Sequence, residues 1–334
     1  MPNKSQAIAD FINKKSSSRN RILGTSIPIK NIQVLPIPSI WDWSVPPLGQ
    51  LNNDQFEFCD NIPSDCSNTV FIASGSSFSE NYNVFLALIN RDNFEPKVPF
   101  DTNMVINKEP IIAPSNEPVP DGWSRVSDAE GILRWRRIWG ISKSPQKWLQ
   151  SINDPSAQNE QMVLKFDTGP VNLTIDGSQN ISIPNEQIIQ ITITASAWDI
   201  ITVRPGIWYN SSIISQTLNY PSYLKNPDTV FGLNGFLSCR IAQFMVAFMP
   251  SATIDIKTEF FKQNNIDLNN IKGLSVGGLE FTQKDARSIF PKTGTAVFNL
   301  NVSTSGLLQL SAQEQQSSPN KAYILAVILE KYQK

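Results

Sequence analysis

From about residue 160 onward, this chain is a succession of short apolar runs separated by polar turns. Ile189, Ile191 and Ile193 alternate with Gln190, Thr192 and Thr194. A period of two places one side of a strand in a core and leaves the other toward water. Residues 252–257 alternate in the same way. Further strand-length runs cover 162–166, 171–175, 188–195, 199–203, 236–248, 252–260, 296–302, 306–310 and 322–329. Earlier, residues 68–73 and 83–89 are apolar runs bounded by Gly, Ser and Asn, and both read as buried strands. About eleven strands with little helix predict an all-β fold. The expected form is a jelly-roll-like β-sandwich, as one large unit or two β domains. One helix is predicted over 144–152, with Ser144 as its cap and Pro145 at its first position. Residues 90–122, rich in Pro, Asn and Asp, read as a long surface loop.

Composition narrows function more than fold. The 334 residues contain no histidine. Imidazole is the commonest general base near neutral pH and the commonest metal ligand. Its absence removes Ser-His-Asp and Cys-His catalysis and every metal site built on imidazole. The reading is a non-enzymatic chain without cofactor or metal. Charged residues make up only 17%, so Asn, Gln, Ser and Thr must supply much of the polar surface. Such a surface suits packing against other subunits or against sugars. No apolar run approaches the roughly 18 residues that span a bilayer. The cysteines Cys59, Cys66 and Cys239 form no CxxC pair. Three reduced thiols are expected, with a short Cys59–Cys66 bridge as the alternative.

The first stretch, residues 1–41, differs from the rest. It carries Lys4, Lys14, Lys15, Arg19, Arg21 and Lys30 against Asp10, within a chain of net charge −1. A short helix over 6–12 is compatible with its sequence. Otherwise it reads as a flexible basic arm, followed by an extended strap containing Pro28, Pro36, Pro38, Pro46 and Pro47. Lys14, Lys15, Arg19 and Arg21 are its candidates for contact with nucleic-acid phosphates; a solvated terminus is the alternative. The expected organisation is arm and strap over 1–41, a first β-rich region over 42–155, and the main β-sandwich over 156–334.

The densest segment is 121–140. Trp123, Trp135 and Trp139 lie among Arg125, Arg134, Arg136 and Arg137. Rings interleaved with cations can stack bases or sugars. They can equally pack on one another with guanidinium groups stacked against them, and the i, i+4 spacing of Trp135 and Trp139 favours packing. Trp208 and Tyr209, after a predicted turn at Pro205 and Gly206, are candidates for contact with a ligand or a neighbouring subunit, with core packing as the equal alternative. Gly277 and Gly278 lack the Lys-Ser/Thr of a phosphate loop and read as a glycine turn.

The basic arm at 13–21, the proline strap at 28–47 and the β-rich remainder together resemble the jelly-roll capsid proteins of small icosahedral, picorna-like RNA viruses. The paired runs 235–250 and 251–260 and the closing run 321–329 fit the same layout. The resemblance implies a self-assembling structural subunit, found in the virion and host cytoplasm, with copies of itself and RNA as partners. A carbohydrate-binding β-sandwich lectin or a β-rich toxin using Trp and Tyr loops is the alternative.

Overall fold

Strands β10 (Ile188–Pro205) and β11 (Cys239–Lys257) run side by side and form the spine of the molecule, pairing antiparallel from Ile188↔Ile256 to Thr202↔Gln243. The computed structural model describes residues 2–19, 31–43, 51, 53–89, 113, 115–119, 121–127, 130–142, 144, 147–148, 150, 153, 161–176, 179–282, 296–302, 307–314 and 321–332. Helix α1 (Lys4–Arg19) and strand β1 (Ile32–Asp42) come first. Helix α2 (Asn53–Asp60), strands β2 (Asn61–Pro63) and β3 (Ala73–Ser77) and helix α3 (Phe78–Leu88) follow. Next are β4 (Trp123–Ser127), β5 (Leu133–Arg137), β6 (Trp139–Ile141), β7 (Met162–Phe166), β8 (Val171–Ile175) and β9 (Gln179–Ser182). Helices α4 (Ser211–Asn219) and α5 (Pro227–Phe231) separate β10 from β11. Helix α6 (Thr258–Gln263) leads to β12 (Ile271–Val276), β13 (Leu279–Thr282), β14 (Ala296–Val302), β15 (Leu307–Glu314) and β16 (Lys321–Lys331).

The main sheet has eight strands. Its spine order is β1-β16-β11-β10-β6, with β7 also on β10, β15 on β11 and β14 on β15. A four-stranded sheet has the order β13-β12-β8-β9, and β2–β3 and β4–β5 are separate pairs. The mainly β, sandwich-type fold expected from the sequence is the fold observed. Residues Ala322 to Leu329 of β16 are all buried, so both faces of this strand are covered. Tyr323, Leu325 and Ile328 join a core with α1 and the four-stranded sheet. Ala322, Ile324, Val327 and Leu329 join a second core with α3 and α4.

Several expectations are corrected. The runs 188–195 and 199–203 belong to one strand, β10, and 236–248 and 252–260 fall largely on another, β11. Pro250, which cannot donate a ladder bond, sits within β11 opposite Ala195, beside Met249 at φ 45°. Residues 83–89 are not a strand but the body of α3. Phe78, Tyr82, Phe85, Leu86 and Ile89 recur at helical spacing and are buried. The Ser77 hydroxyl accepts from Glu80 N at 3.4 Å and caps the helix. Over 68–73 only an isolated bridge, Val34↔Val70, precedes β3. Trp135 and Trp139 lie on the strands β5 and β6 rather than on one helical face. The predicted helix near 144–152 is present at Lys147, Trp148 and Gln150, with Trp148 N donating to Ser144 O at 2.9 Å.

The basic arm is not free along its first half. Ala7, Ile8, Ala9 and Ile12 are buried in the first core, and Phe11 meets Trp198 edge to face at 4.8 Å. Their 3–4 spacing gives α1 a stripe narrow enough to be overlooked among its polar residues. Lys4 donates from Nζ to Leu35 O at 3.0 Å and to Gly277 O, and burial pushes its pKa down to about 8. The described part of the proline strap is strand β1. It pairs with β16 from Ile32↔Ile328 to Asp42↔Lys321, and the register shifts between Val34 and Ser39, the stretch that holds Pro36 and Pro38. Both cysteine readings are also corrected: Cys66 and Cys239 form the disulfide, and Cys59 is a free, buried thiol.

Candidate functional site

The β4–β5 pair sets the geometry of the Trp/Arg segment. Its register places Trp123 opposite Arg137 and Arg125 opposite Trp135. Directly opposed side chains on one face of an antiparallel pair are close enough to stack. The Arg125 guanidinium lies 5.0 Å from the centre of the Trp135 ring, and that of Arg137 lies 5.1 Å from Trp123 and 4.7 Å from Trp208. Alternation along β5 turns Arg136 elsewhere: it covers the Phe56 ring at 4.7 Å and donates to Leu51 O at 2.8 Å.

Arg137 is 4% exposed. It donates to Ser79 O at 2.8 Å and to Asn83 Oδ1, so β5 is tied to α3. Burial lowers its pKa to about 10, and the nearby Asp60 charge works against that shift. Asp60 ends α2 and is itself buried. It accepts from Ser79 N at 2.8 Å, from Ser79 Oγ at 2.7 Å and from Ser77 Oγ. Burial raises its pKa from 3.8 to about 6, although the two serines and Arg137 favour the carboxylate. Both serines act as donors to a carboxylate; the arrangement joins α2, α3 and β5 through a polar knot.

A cleft of about 370 Å³ opens over this knot. Trp123, Trp135, Arg136 and Arg137 line it together with Glu57 and Asp60. Four of the residues singled out from the sequence are therefore brought together. Trp139, Trp208 and Tyr209 are not at the cleft. Trp208 is 1% exposed, donates from Nε1 to Ile138 O at 2.7 Å, and packs edge to face on Trp139 at 5.3 Å. Tyr209 shares a hydroxyl contact of 3.0 Å with Tyr332 and lies under the Arg240 guanidinium at 5.6 Å. Trp139 and Trp208 are buried in the second core, while Tyr209 packs against that core half-buried and lines a separate cleft with Glu330 and Tyr332. Of the arm candidates, Lys14 is an exposed residue of α1, Lys15 and Arg19 belong to the same helix, and Arg21 lies outside the described residues. Gly277 and Gly278 form the β12–β13 turn, with φ of 55° and 83°.

Asp60, Ser77 and Ser79 were not picked out from the sequence. One signal for the serines existed: Ser77-Phe78-Ser79-Glu80 matches the S-x-x-E capping box and marks a helix start. Among the described residues, no group of three Cys, Asp or Glu residues is placed to hold a metal ion. No described helix is long and apolar enough to cross a membrane. No protein-family model matches the chain, and no curated protein is significantly similar to it in sequence.

Proposed function

We propose that this chain is a self-assembling structural subunit, of the kind implied by its resemblance to jelly-roll capsid proteins. The observation that carries this reading is the outward side of α3. Val84 is 49% exposed and Leu88, one turn later, is 53% exposed, on a helix whose other side is already packed in the core. Val84 and Leu88 set an apolar strip beside Glu80 on the outward side, and adjoining apolar side chains gain by burial against a second copy. The rings that could instead bind a free ligand by stacking are largely engaged with arginines of the same chain. That supports assembly over a stacking platform.

Negative-stain microscopy and sedimentation velocity of the full chain test the reading. Shells or regular oligomers are expected, and a Val84→Lys/Leu88→Lys double variant should sediment as a monomer with unchanged far-ultraviolet dichroism. A wild-type chain that stays monomeric at every concentration and salt would overturn it. Contact with RNA through Lys14, Lys15, Arg19 and Arg21 belongs to the same proposal and is tested separately by filter binding across salt.

A further inference from the structure

A second cleft, of about 460 Å³, lies beside the first, and Glu57 and Asn61 line both. Each volume is in the range of small-molecule sites. Trp41, Asp54, Phe58 and Phe71 also line the second cleft. Two buried polar atoms in these walls have no hydrogen-bond partner among the described residues: the Asn61 Oδ1 acceptor and the Trp41 Nε1 donor. Trp41 is 1% exposed. A buried polar atom without a partner is destabilising, so native chains rarely leave one unless something else satisfies it.

We propose that these adjoining clefts bind a neutral polyhydroxylated ligand, a carbohydrate, across Asn61. The chemistry of the walls discriminates among ligand classes. A cation satisfies Asn61 and the carboxylates of Asp54 and Glu57 but offers nothing to an indole N–H. An anion accepts from Trp41 and is drawn to Arg136 and Arg137 of the first cleft, but Asp54 and Glu57 repel it from the second, so a ligand spanning both meets charges of both signs. A hydroxyl both donates and accepts, so of the three classes it alone has a complement for an indole N–H, an amide oxygen and a carboxylate. Phe58 and Phe71 supply an apolar surface for the C–H face of a sugar ring. The site does not depend on the assembly reading, and it differs from the Trp/Arg platform because it uses hydrogen bonding rather than the arginine-covered rings.

Saturation-transfer NMR on the full chain, with lactose, maltose and cellobiose as neutral probes and spermidine and sulfate as charged ones, tests this. Transfer to at least one disaccharide is expected, with affinity reduced about fivefold by Asn61→Ala and by Trp41→Phe, as for the loss of one hydrogen bond. Asn61→Ala preserves the backbone pairing of Asn61 with Ser77 and decides the matter if Trp41→Phe disturbs the core. The proposal is overturned if no disaccharide shows transfer, if both variants bind as the wild type does, or if spermidine or sulfate binds and the sugars do not.

Discussion

Cys66 and Cys239 are joined by a disulfide although 173 positions separate them in the chain. The bridge fastens the segment after β2 to the first residue of β11. A crosslink closing so long a loop removes much of the disorder of the unfolded chain, about 5 kcal/mol on the chain-entropy account. Replacing Cys239 by Ser is expected to lower unfolding free energy by about 2–5 kcal/mol. Urea unfolding with and without dithiothreitol checks this: the wild type should lose stability on reduction and the variant should not. In the oxidised native protein, Cys59 should react with a maleimide only on unfolding, because it is fully buried.

Asp60 makes stability depend on pH. Its folded pKa, about 6, lies above the ordinary 3.8. The folded state therefore holds the proton more tightly than the unfolded state between those values. Stability contributed by this group is present below about pH 4 and is lost as pH rises through 6, to a total of about 3 kcal/mol. In Asp60→Asn, the amide can donate to the serine hydroxyls and accept from Ser79 N. Thermal melts of the two proteins should converge near pH 4 and separate toward pH 7, with the variant gaining relative to the wild type. Parallel melting curves across that range would show that Asp60 does not titrate there.

Gly278 should tolerate no side chain. A Cβ there would fall 1.9 Å from Pro36 O, and its φ is +83°. Gly75 has a similar φ of +78° but open space around the same position. Gly75→Ala is expected to cost about 1 kcal/mol, for the backbone conformation alone. Gly278→Ala should cost about 2–4 kcal/mol, because the turn must also move off β1. Paired denaturation midpoints give the difference, and equal costs would mean that the turn and β1 do not pack as described.

Helix α1 should behave as part of the core rather than as a removable arm. Ile8 is fully buried, and Ile8→Ala is expected to cost about 2–4 kcal/mol. Deleting residues 2–12 should lower the melting temperature and increase dye binding to exposed apolar surface. A deletion that leaves both unchanged would restore the picture of a free arm.

The β-rich character was legible in the sequence because a strand writes its burial into alternate residues. Met162–Phe166, Val171–Ile175 and Ala296–Val302 appear in the structure with the bounds read from the pattern. The absence of histidine likewise confined the chemistry before any coordinate was known. Local pattern could not decide 83–89: a short, almost wholly apolar run suits a buried strand or a buried helix, and here the Ser77 cap and the second core select the helix. Sequence likewise brought Trp123, Trp135, Arg136 and Arg137 to notice, but the pairing of β4 with β5 determined which ring each guanidinium covers. The partner of Cys66, the burial of Asp60 and the adjoining clefts at Asn61 depend on segments far apart in the chain. No local period encodes such meetings, because they follow from how the sheet and helices close around two cores. Tertiary structure alone settled them.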